Sequence, residues 1–371
     1  MSALGLSARA RKAGELGKRA LSLALSRPRM VLPEASYPPR ETDGILVLQR
    51  GANASTDYYL RPRLDPSRLP VEIVDLTGHP GGSSLLADGG GQALTVVFCR
   101  YAAPGWLEAL ERVRERLVRV AFFMDDDLPG MMRAAEIPSA ARGKVALHFG
   151  AHAARLSALC SELWVSTPEL ARRYAQALPR VLPPVPEAEP PVPALQASDD
   201  LVVYHGTDVH ARERAFVLEV ARLLQARSSG ARIELVGDRV VARAAAGMSN
   251  VKVTPQLAWT DYLRAQTGRA AAISLAPLFR SPLNDARAPV KAFDAARLGA
   301  AGLYADAPAY RGHVQDGVDG LLLPMEPRAW AEAIASLMDD PERRLRLASA
   351  ARARLSEAIR SDPGLPRAPA G

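Results

Sequence analysis

The chain has 371 residues, 48% hydrophobic, 23% charged and 5% aromatic, and 47 Lys and Arg against 40 Asp and Glu give a net charge of +7. This is enough for two globular domains, each with a core of its own, and the apolar content excludes a disordered chain. The basic balance does not point to nucleic acid, because aromatics are few and no stretch interleaves them with cations as single-strand binders do.

Residues 1–43 read as a basic extension and linker. Arg9, Arg11, Lys12, Lys18, Arg19, Arg27 and Arg29 surround Leu16, Leu21, Leu23 and Leu25, the pattern of a loosely amphipathic helix. It fits either peripheral contact with an anionic membrane surface or a solvated arm. ALSLAL at 20–25 is too short for a secretory signal, and no apolar run approaches the roughly 18 residues that span a bilayer. Cys99 and Cys160 lie in apolar segments and read as buried thiols, so a cytoplasmic protein is expected, with the inner membrane face as an alternative address.

From residue 44 to 182 short apolar runs alternate with helical patterns: ILVLQ at 45–49, VEIVDL at 71–76, LTVVFC at 94–99, VRVAFFM at 118–124 and ELWVS at 162–166. GWLEALERVRERL and KVALHFGAHAARLSALC have helical period. GHPGGSSLLADGGG at 78–91 matches neither GxGxxG nor GxxxxGK[ST] and reads as a surface loop. Residues 183–200 are proline-rich and mark a boundary, and a second alternation fills 201–360: LVVYHG, RIELVG, VKVTP, AAISLAP, GLYAD and GLLLP, with helices between and after, then a tail at 361–371. Continuous apolar strands alternating with helices predict α/β, with two Rossmann-like, doubly wound parallel sheets. Such sheets bind ligands beyond the carboxyl ends of their strands, so two in tandem are expected to face a common cleft.

The stretch 280–306 carries charge that folding alone does not require. Pro289 suits the first position of a helix and Gly299 its stop. Arg287 just before that helix and Lys291 in its first turn both repel the positive end of the helix dipole. An anion seated on the free N–H groups would reconcile them. The plainer alternative is a surface network in which Asp285 and Asp294 pair with Arg287 and Lys291.

Further candidates lie at strand ends. Asp125, Asp126 and Asp127 follow VRVAFFM and could hold a divalent cation, accept a proton or bind sugar hydroxyls; a helix cap or solvated turn is the other reading. Ser55, Thr56, Asp57 and Tyr58 could bond a polyhydroxylated acceptor, or Ser55 and Thr56 could cap a helix. His148 and His152 are four apart, but HFGAH lacks the glutamate of HExxH and a third ligand, so no metal site is expected. In the second half His205 and His210 flank Gly206 and Thr207, where backbone could approach a phosphate.

Taken together, YHGTDVH, ELVGD, SPLNDARAPVKAFDAARLGAAGLYAD and YRGHVQDGVDGLLLP resemble the donor half of the GT-B glycosyltransferases of family 4, commonly called glycosyl transferases group 1. STDYYLRPR, DDDL and VSTPELARRY resemble the first half of one branch of that group. The resemblance implies transfer of a sugar from a nucleotide-sugar donor to a glycan or lipid-linked acceptor, with no metal or other cofactor required. By this similarity Arg287 and Lys291 hold the pyrophosphate and Asp294 takes the ribose. Gly206, Thr207 and Asn284 complete a donor set, and Ser55, Thr56 and Tyr58 form an acceptor set. Asp125, Asp126, Asp127 and His205 are the catalytic candidates. The family often has two glutamates eight positions apart; here the second is Asp294 and the first position is Ala286, with Asn284 and Asp285 as neighbouring replacements. That departure keeps open a non-catalytic nucleotide- or glycan-binding scaffold, and a nucleotide-sugar epimerase is a third reading.

Overall fold

The structure, a computed structural model, describes residues 30–87, 91–185 and 200–365. The basic extension at 1–29, most of the proline-rich linker and the last six residues lie outside them. Two compact units are formed, one from Met1–Pro183 with Gly364–Gly371 and one from Pro184–Pro363.

The first unit holds six parallel strands, β1 Gly44–Gln49, β2 Val71–Asp75, β3 Leu94–Cys99, β4 Leu117–Met124, β5 Glu162–Val165 and β6 Arg180–Val181, in the order β2-β1-β3-β4-β5-β6. Every residue of β1 and β3 is buried, as strands covered on both faces must be, and this is why they read as unbroken apolar runs. Helix α1, Pro104–Arg112, buries Trp106, Leu107 and Leu110, and the Trp106 indole N–H donates to the Gly78 carbonyl at 3.0 Å. β6 is two residues long and carries no pattern.

Two expectations change here. The helical period across 144–160 does not make one helix: α2 runs Ser139–His148, a 3-10 turn takes Gly150–His152, and α3 runs Ala153–Leu159. The break lets Phe149 stack on Phe122 at 5.5 Å, and a Cβ on Gly150 would lie 2.6 Å from the Met132 methyl. Nor is 78–91 wholly a surface loop. Ser83 is fully buried and its hydroxyl donates to Glu72 at 2.6 Å, while Ser84–Ala87 forms a helical turn whose Leu85 is buried. Glu72 on β2 also accepts the Ser84 N–H at 3.0 Å, so one carboxylate ties the segment to the sheet.

The second unit repeats the plan with β7 Leu201–Tyr204, β8 Arg232–Val236, β9 Val251–Thr254, β10 Ile273–Ala276, β11 Ala301–Ala305 and β12 Leu321–Leu323, all parallel, in the order β12-β11-β10-β7-β8-β9. After α4, Pro168–Arg173 of the first unit, the helices are α5 Ala211–Ala226, α6 Arg239–Ala244, α7 Trp259–Gln266, α8 Val290–Arg297, α9 Pro327–Asp339 and α10 Pro341–Arg360. Trp330 of α9 is fully buried and meets Phe216 of α5 edge-on at 5.4 Å. In each sheet the chain runs outward in opposite directions from two central neighbours, β1 and β3 in one and β7 and β10 in the other. Ligands of doubly wound sheets sit at the carboxyl ends of those pairs. Among the described residues, no helix is long and apolar enough to cross a membrane.

Candidate functional site

In the second unit the segment leaving β10 first makes a turn of helix, Pro282–Asp285, capped by Ser281, whose hydroxyl accepts the Asn284 N–H at 3.2 Å. The chain then passes Ala286 and Arg287 to α8. Pro289 is the residue before this helix rather than its first: its ψ of 41° lies outside the helical range, and no side chain caps the terminus. Gly299 ends the segment at φ 62°, the left-handed conformation expected of it.

Lys291 in the first turn of α8 reaches across to the loop after β7. Its ammonium donates to the His205 carbonyl at 2.8 Å and to Asp294 at 2.9 Å. An ammonium has three N–H donors, so a third remains for a ligand. Arg287 approaches the same loop from the other side, with Nη1 3.5 Å from Nε2 of His210. Nδ1 of His210 lies 3.7 Å from Glu213 on α5. The tautomer with hydrogen on Nδ1 suits both neighbours, since Nε2 can then accept from the guanidinium. Glu213 is buried, and its other oxygen accepts the Phe279 N–H at 3.3 Å at the start of the loop after β10. One carboxylate therefore steadies both loops.

The electrostatics agree. Burial lowers the His210 pKa, and the Arg287 and Lys291 charges push the same way against Glu213. Burial would raise Glu213, but the hydrogen bonds it accepts from His210 and from the Phe279 N–H outweigh it and hold the carboxylate below its ordinary range. The result is a neutral imidazole beside two cations at the carboxyl ends of β7 and β10.

Of the donor candidates, Arg287, Lys291, Gly206 and Thr207 are brought together. Gly206 is required by packing: a Cβ there would lie 2.5 Å from the hydroxyl of buried Tyr204. Thr207 is exposed, and its carbonyl accepts the His210 N–H at 3.0 Å. Asp294 pairs with Lys291, as the surface-network reading expects, but Asp285 does not pair with Arg287. It makes two contacts with Arg280, at 2.7 and 2.9 Å. Asn284 donates its amide to the Phe279 carbonyl at 2.8 Å, and Ala286 is buried. The vacant glutamate position is thus not filled by a carboxylate from either neighbour.

His205 is corrected as a catalytic candidate. Its side chain is only 7% exposed and lies between Glu234 at 3.2 Å and the Tyr262 hydroxyl at 3.1 Å, while Arg269 also reaches Glu234 at 3.0 Å. The imidazole is committed to this network, and the backbone carbonyl is the part that meets Lys291.

The first-unit candidates separate in the same way. The three carboxylates do not form one solvated cluster. Asp125 receives the Ser55 hydroxyl at 2.6 Å and the Arg100 guanidinium at 3.0 Å, and Asp126 lies 3.4 Å from that guanidinium. Asp127 turns away to cap the helical turn Leu128–Met131, accepting the Gly130 N–H at 2.8 Å; it also pairs with Arg173 at 3.1 Å and receives the Tyr174 hydroxyl. It is buried and structural. Thr56 and Tyr58 are buried too, which removes them from contact with an acceptor, and Ser55 is committed to Asp125. Neither Ser55 nor Thr56 caps the helical turn Thr56–Leu60; Asn53 does, its Oδ1 accepting the Thr56 N–H at 2.9 Å. Arg100 was missed because it follows an apolar strand as a single cation. Glu213 was missed because its partner is three residues away on a helix end.

Among the described residues, no group of three or more His, Cys, Asp and Glu is placed to hold a metal ion. His148 ends α2 while His152 lies in the following turn. Cys99 and Cys160 are buried and unbridged, and burial pushes the Cys99 thiol up to about 12.

Residues 199–340 match the family model of glycosyl transferases group 1. Three solved structures share the fold. HepE of Anabaena, in complex with UDP and glucose, is 16% identical with a TM-score of 0.55, the match covering 85% of this chain and 95% of that one. Sucrose-phosphate synthase of Thermosynechococcus elongatus is 14% identical with a TM-score of 0.56 over 85% and 95%. TarM is 11% identical with a TM-score of 0.52 over 71% of this chain and 51% of that one, so the chain spans about half of its length. A search of curated proteins finds no relative by sequence.

Proposed function

We propose that this chain, whose residues 199–340 match the family model of glycosyl transferases group 1, is a GT-B glycosyltransferase and seats the pyrophosphate of its nucleotide-sugar donor on Arg287, Lys291 and the uncapped first turn of α8. One observation carries this: the two cations leave the loop and helix after β10 and are tied to His205 and His210 after β7, at the switch point of the sheet. A pyrophosphate there accepts backbone N–H groups at the helix start and bridges the two side chains. Asp294, three residues after Lys291 and paired with it at 2.9 Å, is read as the group that accepts ribose hydroxyls.

In the reaction the acceptor hydroxyl attacks the anomeric carbon, the bond to the nucleoside diphosphate breaks, and negative charge grows on the departing phosphate. Arg287, Lys291 and the α8 dipole stabilise that charge. They supply the positive charge that a divalent ion provides elsewhere, so no metal is assigned to the step. His210 and Glu213 hold Arg287 for it. The acceptor is read as the hydroxyl of a glycan or a lipid-linked glycan, bound mainly by the first unit.

HepE was solved with UDP and glucose, which makes uridine nucleotides the first probes to try. The test is a thermal-shift screen with UDP, GDP and their sugars, followed by detection of nucleotide release. Stabilisation by one nucleotide, lost in Lys291→Ala, is expected. If no nucleotide stabilises the protein, or if Lys291→Ala responds like the native chain, the assignment fails. Stabilisation without turnover or transfer would support instead the binding scaffold that the Ala286 position keeps open.

A further inference from the structure

The carboxyl ends of β1 and β3 form the switch point of the first sheet, equivalent by topology to the place where the donor site lies in the second. The residues that leave those strands are Arg50 after β1 and Arg100 and Tyr101 after β3. Helix α2 brings Lys144 and His148 beside them: the Ala102 N–H donates to the His148 carbonyl at 2.9 Å. The Arg100 guanidinium and the Lys144 ammonium each lie 5.7 Å from the centre of the Tyr101 ring.

Arg100 is neutralised by Asp125 and Asp126. Arg50 and Lys144 form no ion pair with a carboxylate among the described residues, although Arg50 leaves β1 beside Asp75 of β2: burial would raise that carboxyl, but hydrogen bonds from Thr77 and Gly51 and the Arg50 charge hold it below its ordinary range. The backbone at Arg100 is in the left-handed region at φ 67°, and its Nε is buried without a hydrogen-bond partner. A bulky residue in that conformation with an orphaned donor stores strain, and such strain collects at ligand sites.

We propose that Arg50 and Lys144, braced by Tyr101 and Arg100, form a subsite for an anionic group, a phosphate or a carboxylate, carried by the acceptor. β1 and β3 run parallel with Leu48 opposite Phe98, so Arg50 and Arg100 leave adjacent strand ends. Burial lowers the Lys144 pKa, with Arg100 and Arg50 adding to it, and His148 is held down to about 4 by burial together with Arg50 and Lys144. An anion between Arg50 and Lys144 offsets that repulsion. The neutral His148 ring, 6.0 Å from Tyr101 and edge-on to it, adds a polar wall without a competing charge. Ser55, Thr56 and Tyr58 are too buried to serve, whereas Lys144 is exposed and Arg50 half-buried at the strand ends of the first unit.

Naming the ligand an acceptor rests on the transferase reading; binding of the anion does not, and it can be measured without donor. The full chain is treated with a limiting acylating reagent and the lysines are followed by mass spectrometry, alone and with inorganic phosphate, glucuronate or glucose. Lys252, whose side chain is 76% exposed, is the internal reference. Phosphate or glucuronate is expected to slow labelling of Lys144 about fivefold once free anion is about four times its dissociation constant, with Lys252 unchanged. Arg50→Ala is expected to abolish the protection and Arg50→Lys to keep part of it. Protection by phosphate alone assigns a phosphorylated acceptor, and by glucuronate alone an acidic sugar; both support the subsite. No protection by either anion, equal protection by glucose, or full protection in Arg50→Ala overturns it. In the same digest, protection of Lys291 by UDP reports on the donor site, so failure of the one reading is seen separately from failure of the other.

Discussion

Replacing Lys291 by alanine separates a charge that serves folding from one that serves transfer. In the folded protein the ammonium holds the His205 carbonyl at 2.8 Å and Asp294 at 2.9 Å with a side chain 29% exposed. Losing both contacts costs about 1–2 kcal/mol, because each partner can turn to water and recover part of the loss. A unit of this size melts about 2–4 °C lower for each kcal/mol, so a fall of several degrees with cooperative unfolding is expected. The effect on transfer is larger. A cation about 3 Å from a phosphate oxygen at an effective dielectric near 20 is worth roughly 5 kcal/mol before desolvation. Removing one preorganised donor from a transition-state anion costs about 3 kcal/mol in practice, close to a hundredfold in rate. The assay is release of nucleotide from the donor found by the thermal screen, with donor varied to separate kcat from KM. Lys291→Arg should recover part of the rate, since it keeps the charge but cannot reproduce both contacts of a point-like ammonium. Turnover within about threefold of the native chain in Lys291→Ala would refute the reasoning, because charge worth so little cannot be stabilising the leaving group.

Asp127→Ala should lower stability by about 3 kcal/mol, through loss of a helix cap and of the partner of Arg173, while nucleotide stabilisation of the second unit is unchanged; a melting curve with and without UDP reads both. Gly206→Ala should cost about 1–3 kcal/mol by overpacking against Tyr204, and Tyr204→Phe in the same chain should restore only a small part of it, because it removes the hydroxyl at 2.5 Å but keeps the ring carbons at 2.7 and 3.0 Å. The pH dependence has a definite sign. His148 is held down to about 4, so the unfolded chain binds its proton first, and the stability due to the neutral ring is present above about 6.5 and lost as pH falls from there toward 4. Glu234 is held down to about 2, chiefly by the His205 hydrogen bond, so its contribution is lost only as pH falls from 4.5 toward 2. Urea midpoints measured against pH should therefore flatten in the upper window for His148→Gln and in the lower window for Glu234→Gln.

Most of the fold is legible in the amino-acid order for a physical reason. A parallel strand covered on both faces cannot alternate, so LTVVFC and AAISLAP announce themselves, whereas the two residues of β6 are too few to carry any pattern. The charges at α8 are legible for a related reason: a helix start that prefers acids carries two cations instead, and that conflict needs no knowledge of distant contacts. What those cations touch is another matter. Lys291 meets a carbonyl 86 residues earlier, a contact that exists only because β10 lies beside β7 in the sheet. Asp125, Asp126 and Asp127 show the converse. Three adjacent carboxylates look like one site along the chain, yet the chain turns out of β4 through them, sending Asp125 to Ser55 and Asp127 to its own helix cap. Arg100 absorbs the charge of the first two from the end of the neighbouring strand. Local electrostatic conflict is therefore the kind of signal that survives folding, because it is a property of one element. Clustering along the chain is not, since the parallel sheet decides which strand ends become neighbours. This is why Arg50 and Lys144, far apart in sequence and unremarked by any motif, sit on elements that the pairing of β1 with β3 and the docking of α2 bring to the same strand ends, while the conspicuous acidic run at the end of β4 is spent on structure.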